Sequence, residues 1–349
     1  MTTPSVHPDM HETSTAVKAL RVMAYVGTAF CLFFIFNNFL IFWQGWPGVD
    51  VFLAHYGLLG LEPLKVPLQG TRLSLGWLQF LTYSGSILAS IAYVMKTPSR
   101  SMLDDAQTHA CLAAYIIRGA FWTILIIGIV DMTMSFLRLE GFIEQIFGLK
   151  VSNDLGRASY RGIYVHYPLI VVGFITGAFT RSLGFTWLAL LIVLAELLIV
   201  IARFVFSYEQ AFMGDLVRFW YAGLFLFASA YTLIEEGHVR VDILYTGFSA
   251  RGKALSNTFG SLVLGIPVCW IILIYGMWGK SNLINAPLLS FEITQNGYGM
   301  FVKYLMAGFL MIYAVSMMVQ FIGYFLSNAS VLLHGPAPQS SQDSQKVVT

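Results

Sequence analysis

Long apolar runs, separated by short polar joints rich in Gly, Pro and charge, recur along the whole chain. A helix of about 20 apolar residues matches the hydrocarbon thickness of a bilayer. By that measure eight segments read as spans: 22–43, 73–95, 110–134, 163–179, 185–206, 216–234, 255–278 and 302–326. The expected fold is therefore all-α, a polytopic helical membrane bundle of about eight transmembrane helices.

The joints add detail. Trp43 and Trp46 close the first span, where interfacial aromatics belong. The connection 44–72 is rich in Gly and Pro and half apolar (Val51-Phe52-Leu53, Leu58-Leu59), so it is expected to lie on the surface or re-enter rather than span. Lys96-Thr97-Pro98-Ser99-Arg100 ends the second span. The connection 139–160 begins with Phe142, Ile143, Ile146 and Phe147 at helical spacing between Glu140 and Glu144. The turn 180–184 is brief enough to make the fourth and fifth spans an antiparallel hairpin.

The first apolar run is too long for a signal-peptide core and lacks a clear small-x-small cleavage site, so it reads as a retained span. From Ser327 onward Pro336, Pro338 and a Ser/Gln run suggest a disordered tail. The expected organisation is a polar tail over 1–17, an extension of about four spans over 18–180, a four-helix membrane domain over 185–326 and a tail over 327–349. The first four segments share no loop motif with the last four, so no internal repeat is expected.

Composition agrees with the pattern. The chain is 57% hydrophobic and 11% charged, with a mean hydropathy of +0.71, whereas about a quarter of residues are charged in a soluble domain. A net charge of +2 offers no electrostatic case for a nucleic-acid partner. Cys31, Cys111 and Cys269 fall inside apolar segments and read as small hydrophobes without disulfide or metal spacing. His109, His166 and His238 lie near span ends, which does not suit the facing imidazoles of a buried haem. No catalytic residue, metal or cofactor is expected.

The densest charge run, Glu235 to Lys253, lies between the apolar stretches 219–234 and 259–278. Ionised groups are expensive in hydrocarbon, so this run is the joint of a helical hairpin. Glu236, His238, Arg240 and Asp242 alternate with Gly237, Val239, Val241 and Ile243, the period of an extended segment; on a helix, Glu236 and Arg240 would form a favourable i,i+4 pair. Both local readings remain open.

The string His238-Val-Arg-Val-Asp-Ile-Leu-Tyr, followed by Ser249 and the basic pair Arg251 and Lys253, resembles the signature loop of the small membrane subunit of tripartite ATP-independent periplasmic (TRAP) transporters, the DctQ-like family. Arg203-Phe-Val-Phe resembles the Arg-Tyr-Val-Phe ending of that family's first helix. Asp215-Leu-Val-Arg-Phe-Trp resembles the acidic entry to its second, with Trp220 in the place of a recurrent Trp. Leu305-Met-Ala-Gly-Phe departs from the Pro-Gly pair common in the last helix. The resemblance covers roughly 185–326, and the ordinary member has four spans, so the first four here are an extension.

The resemblance implies a transporter of three parts. A periplasmic substrate-binding protein captures an organic acid, a large permease subunit carries it with coupling ions, and this chain is a non-enzymatic brace held among membrane lipids. It implies the bacterial cytoplasmic (inner) membrane with both termini cytoplasmic. Lys18, Arg21, Lys96, Arg100, Arg240, Arg251 and Lys253 agree with that orientation, while Arg138, Lys150, Arg157 and Arg161 oppose it. An autonomous carrier or channel and an anchor subunit of another complex are the competing readings.

Three charges fall within spans: Arg118, Asp131 and Glu196. Such residues mark function or pair inside the bundle. At about 100° per residue Arg118 and Asp131 differ by about 220° around their helix and cannot pair with each other. Glu196 is expected to pair structurally, for instance with Arg118, to be satisfied by hydroxyls and water, or to relay a proton or sodium ion. Gly223, Ala228, Ala230, Gly260 and Gly265 are small-residue contact points that could face the large permease.

Overall fold

The structure, a computed structural model, describes residues 14–181, 185–234, 245–294 and 298–335. Its helices are α1 (Thr15–Phe42), α2 (Val49–His55), α3 (Gly70–Lys96), α4 (Met102–Leu139), α5 (Phe142–Phe147), α6 (Leu149–Leu155), α7 (Ala158–Arg161), α8 (Tyr167–Phe179), α9 (Phe185–Phe206), α10 (Ala211–Ile234), α11 (Ala250–Phe259), α12 (Ile266–Met277), α13 (Asn285–Ser290) and α14 (Lys303–His334). α7 and α8 run on through a π-helical turn at Gly162–His166, and α11 and α12 through another at Gly260–Gly265. Among the described residues eight helices are long and apolar enough to cross a membrane, and the protein is an all-α, multi-pass membrane bundle.

Both π turns have a cause in the sequence. Each lies just before a proline inside an apolar run, Pro168 and Pro267. A proline has no N–H to donate, and its ring crowds the carbonyl four residues earlier, here those of Tyr164 and Val263 within the turns. Widening the helix relieves that crowding without breaking the span.

By packing, the chain divides into two compact units: Met1–Ala110 with Val241–Pro267 and Phe321–Val348, and Cys111–Arg240 with Val268–Gln320. In the first unit α1 packs along α3. The connection 44–72 neither spans nor hangs free, because α2 sets the buried Phe52 against α3. A Cβ on Gly76 would stand 2.8 Å from that ring, and Trp77 and Phe80 flank it at 4.9 and 5.4 Å. Buried Gln79 of α3 accepts from Gly48 N (3.0 Å) and donates to Asn37 Oδ1 (2.6 Å), which ties the connection down.

In the second unit small residues let backbones meet, as close packing in a bilayer requires. A Cβ on Gly173 of α8 would stand 2.6 Å from Thr123 N of α4, and one on Gly177 would stand 2.7 Å from Gly119 N. The indole of Trp220 on α10 is buried and donates to Ile124 O of α4 at 3.1 Å. The joint after α9 is tied to the end of α4 by Tyr208, whose hydroxyl donates to Glu140 Oε1 at 2.6 Å. Partial burial and that carboxylate push the Tyr208 phenol up to about 12.

Several boundaries differ from the apolar runs. α14 continues through His334, so residues 327–334, expected as disordered tail, are helical; residues 336–349 lie outside the described set. Likewise α1 begins at Thr15, inside the expected polar tail over 1–17. The fourth span gains a turn before Ile163, starting at Ala158, and the sixth starts at Ala211 instead of Leu216.

Candidate functional site

The most elaborate polar site of the second unit is built on Asp131, which projects from the last third of α4. Its side chain is fully buried, as are those of Arg161 and His166. Arg161 Nη1 donates to Asp131 Oδ1 at 2.8 Å and lies 2.9 Å from Ser135 Oγ. His166 Nε2 lies 3.0 Å from Asp131 Oδ1, and Phe301 N donates to Asp131 Oδ2 at 2.8 Å. His166 Nδ1 is 2.7 Å from the hydroxyl of buried Tyr304. A carboxylate can only accept, so a proton on Nε2 faces Asp131, which leaves Nδ1 to hydrogen-bond the Tyr304 hydroxyl.

Arg161 is held at both ends. Its Nε donates to Leu155 O at 3.0 Å, and its guanidinium lies 4.1 Å from the centroid of the Phe301 ring, a favourable cation–π geometry. Its Nη2 is buried without a hydrogen-bond acceptor among the described residues. Asp215 of α10 reinforces the same segment from another side, accepting from Met300 N at 3.1 Å. Two carboxylates, from α4 and α10, thus hold consecutive backbone amides just before α14 begins. The arrangement fixes positions and balances charge, with Asp131 and Arg161 neutralising each other.

The first unit has its own buried pair. Arg21 Nε meets Asp105 Oδ2 at 2.5 Å, with both side chains fully buried. Arg21 Nη1 donates to Thr97 O at 2.8 Å and Nη2 to Thr97 Oγ1 at 3.1 Å. Arg100 Nε (2.7 Å) and the Tyr25 hydroxyl (2.9 Å) share Asp105 Oδ1. The beginnings of α1 and α4 and the end of α3 are bound through one carboxylate. Ser101 and Asp104 add a reciprocal cap, Asp104 N donating to Ser101 Oγ (3.1 Å) and Ser101 N to Asp104 Oδ2 (3.2 Å).

The sequence-expected residues are distributed unevenly over these sites. Of the three charges in spans, only Asp131 enters a network. Arg118 is half-buried and donates from Nε to Gly177 O at 3.3 Å. Glu196, at the middle of α9, is exposed on the chain. The pair Arg118–Glu196 is not formed; Arg118 has turned to α8, where Gly177 leaves a carbonyl within reach. Sequence reasoning missed Arg161, His166 and Tyr304, and it treated Arg21 and Arg161 as orienting charges.

Glu236, His238, Arg240 and Asp242 of the signature loop lie outside the described residues, so neither local reading of that string is resolved. The following segment is described. Ser249 caps α11, accepting at Oγ from Gly252 N at 3.2 Å. Arg251 is exposed in the first turn, and Lys253 Nζ stands 5.4 Å from the centroid of the Tyr245 ring. Asn257 Nδ2 donates to Tyr245 OH at 2.9 Å and to Asn328 Oδ1 at 3.0 Å, fastening this segment to α14.

The small-residue expectation needs correction at two positions. Gly223 faces inward, where a Cβ would stand 2.2 Å from Ile124 Cδ1, and Gly265 faces inward, where one would stand 2.8 Å from Phe321 Cδ1. Both serve packing within the chain and offer no surface to a partner. Gly260 is half-buried with open space beside it, Ala228 is half-buried, and the side chain of Ala230 lies outside the described set.

Residues 188–330 match the family model described as the DctQ component of tripartite ATP-independent periplasmic transporters. The resemblance carried by Asp215, Trp220 and the segment after the signature loop therefore holds over that stretch, and the matched family is one of transporter components. The extension before α9 lies outside the match. No curated protein and no solved structure matches the chain.

Proposed function

From a chain whose residues 188–330 match the DctQ transporter component, we propose that the protein is the small membrane subunit of a TRAP-type secondary transporter. It braces a large permease while that subunit carries an organic acid, delivered by a periplasmic substrate-binding protein, with coupling ions. The family match is the observation that carries this reading. The internal use of the matched polar residues supports a bracing role: Asp215 and Trp220 bind α10 to its neighbours with hydrogen bonds of 3.1 Å each. A helix frame whose polar groups are satisfied inside can stay fixed while a partner moves. The matched segment, 188–330, supplies the brace, and the extension over 18–180 enlarges it. We place the protein in a bacterial cytoplasmic membrane with both termini in the cytoplasm.

Tagged chain expressed with the large permease and the binding protein is expected to co-purify with the permease. Reconstituted vesicles are expected to accumulate an organic acid only when all the components are present. Gradient-driven accumulation by this chain alone would establish an autonomous carrier instead. Stable co-purification with a respiratory complex, and not with a permease, would establish an anchor subunit.

A further inference from the structure

The carboxylate of Glu196 has no hydrogen bond or ion pair among the described residues, although it sits where such a group is hardest to accommodate. The span Thr186–Phe206 is 21 residues long, and Glu196 stands at its middle, about 15 Å from either end at 1.5 Å per residue. A Glu side chain is too short to reach water from that depth, whereas a long Lys or Arg could snorkel. Protonation would remove the charge but leave an O–H without an acceptor in hydrocarbon.

Two basic groups of the same unit are committed elsewhere. Arg118 donates to Gly177 O at 3.3 Å, and Arg203, two turns along α9, is paired with Glu209 at 3.3 Å. The helix itself is peripheral. Only 11% of its apolar stretch is buried within the chain, against 50% for α4. Leu188, Ile192 and Ala202 mark the face turned to the bundle. Glu196 lies about 80° from that face at 100° per residue, on a flank with Ala189, Val193, Val200 and Arg203. That flank has the heptad spacing along which a second helix packs.

We propose that this flank of α9 is the seam on which a membrane-spanning helix of the large permease docks, presenting a basic side chain at mid-membrane depth to the Glu196 carboxylate. The proposal rests on the reading of the chain as a small transporter subunit. It adds which helix, which flank and which chemistry the partner uses. The small residue Ala189 and the branched Val193 and Val200 supply the close packing, and Glu196 sets register and orientation, as single polar groups do in packed helices.

The test uses the full chain co-expressed with the permease. Because Glu196 makes no hydrogen bond or ion pair among the described residues, Glu196→Leu is expected to leave insertion and thermal stability of the isolated chain unchanged or improved. Its co-purification with the permease is expected to fall at least about tenfold, the loss typical of removing one partner of a desolvated charge pair. A photoreactive residue at position 196 is expected to capture a permease peptide that contains Lys, Arg or His. Undiminished co-purification of Glu196→Leu, with capture only of lipid or of a second copy of this chain, would overturn the proposal. Photoreactive residues elsewhere on the chain separate the two ideas: capture of the permease from those positions alone sinks this seam and leaves the subunit reading standing, and capture from none sinks both.

Discussion

Replacing Arg161 by Met removes the cation from a buried pair while keeping the length and most of the apolar bulk of the side chain. Asp131 then retains His166 Nε2 at 3.0 Å and Phe301 N at 2.8 Å, but its charge stands unneutralised in a fully buried site. Breaking one side of such a pair costs about 3–5 kcal/mol, and the lost cation–π contact with Phe301 falls inside that figure. Against a total stability of about 5–15 kcal/mol this is a large fraction. The midpoint of heat-induced loss of the monodisperse species in detergent is expected to fall by on the order of 10 °C. The double variant Asp131→Asn/Arg161→Met removes both charges and leaves an acceptor for Phe301 N, so it is expected to lose well under half of the sum of the single losses. Two results would refute the reasoning: a single variant within about 1 kcal/mol of the parent, or a double variant whose loss equals the sum.

Other consequences can be measured with the same assay. Arg21→Met also breaks a buried pair, but Asp105 keeps Arg100 at 2.7 Å and the Tyr25 hydroxyl at 2.9 Å, so its midpoint is expected to fall by less than half as much as that of Arg161→Met. Gly173→Ala drives a Cβ to 2.6 Å from the Thr123 backbone nitrogen, which side-chain movement cannot relieve, and should cost about 1–3 kcal/mol. Gly214→Ala, with open space around its Cβ, should be neutral or stabilising by up to about 1 kcal/mol; equal behaviour of the two glycine variants would contradict the packing argument. Trp220→Phe keeps the ring but removes the donor to Ile124 O and is expected to cost about 1 kcal/mol.

The spans were legible because a bilayer imposes length and hydropathy together, and Phe185–Phe206 was readable to the residue. Ends were less so wherever a helix continues beyond its apolar run, as in the last turns of α14 up to His334. The Asp131 site was half legible. Asp131 itself stands out as a charge in a span, but Arg161 and His166 look like ordinary flanking residues. At 100° per residue they would also lie about 140° apart and could not serve one carboxylate. The π turn Gly162–His166 changes that period and brings both side chains to Asp131. The available signal was Pro168 within an apolar run, since a proline there demands some local departure from the α-helix.

Where polar groups end up on the matched segment also separates internal from external work. Asp215 is consumed by Met300 N, Trp220 by Ile124 O, and Gly223 by the close approach of Ile124. All three lie on α10 and are used within the chain. α9 inverts this pattern: its buried stripe is plain Leu188, Ile192 and Ala202, and its one mid-depth carboxylate lies exposed on a flank beside that stripe. In water, an exposed glutamate on a helix surface carries no message. In hydrocarbon the same exposure is costly unless something polar meets it, and that cost, which an aqueous surface would not impose, is the ground on which the proposed seam is set at Glu196.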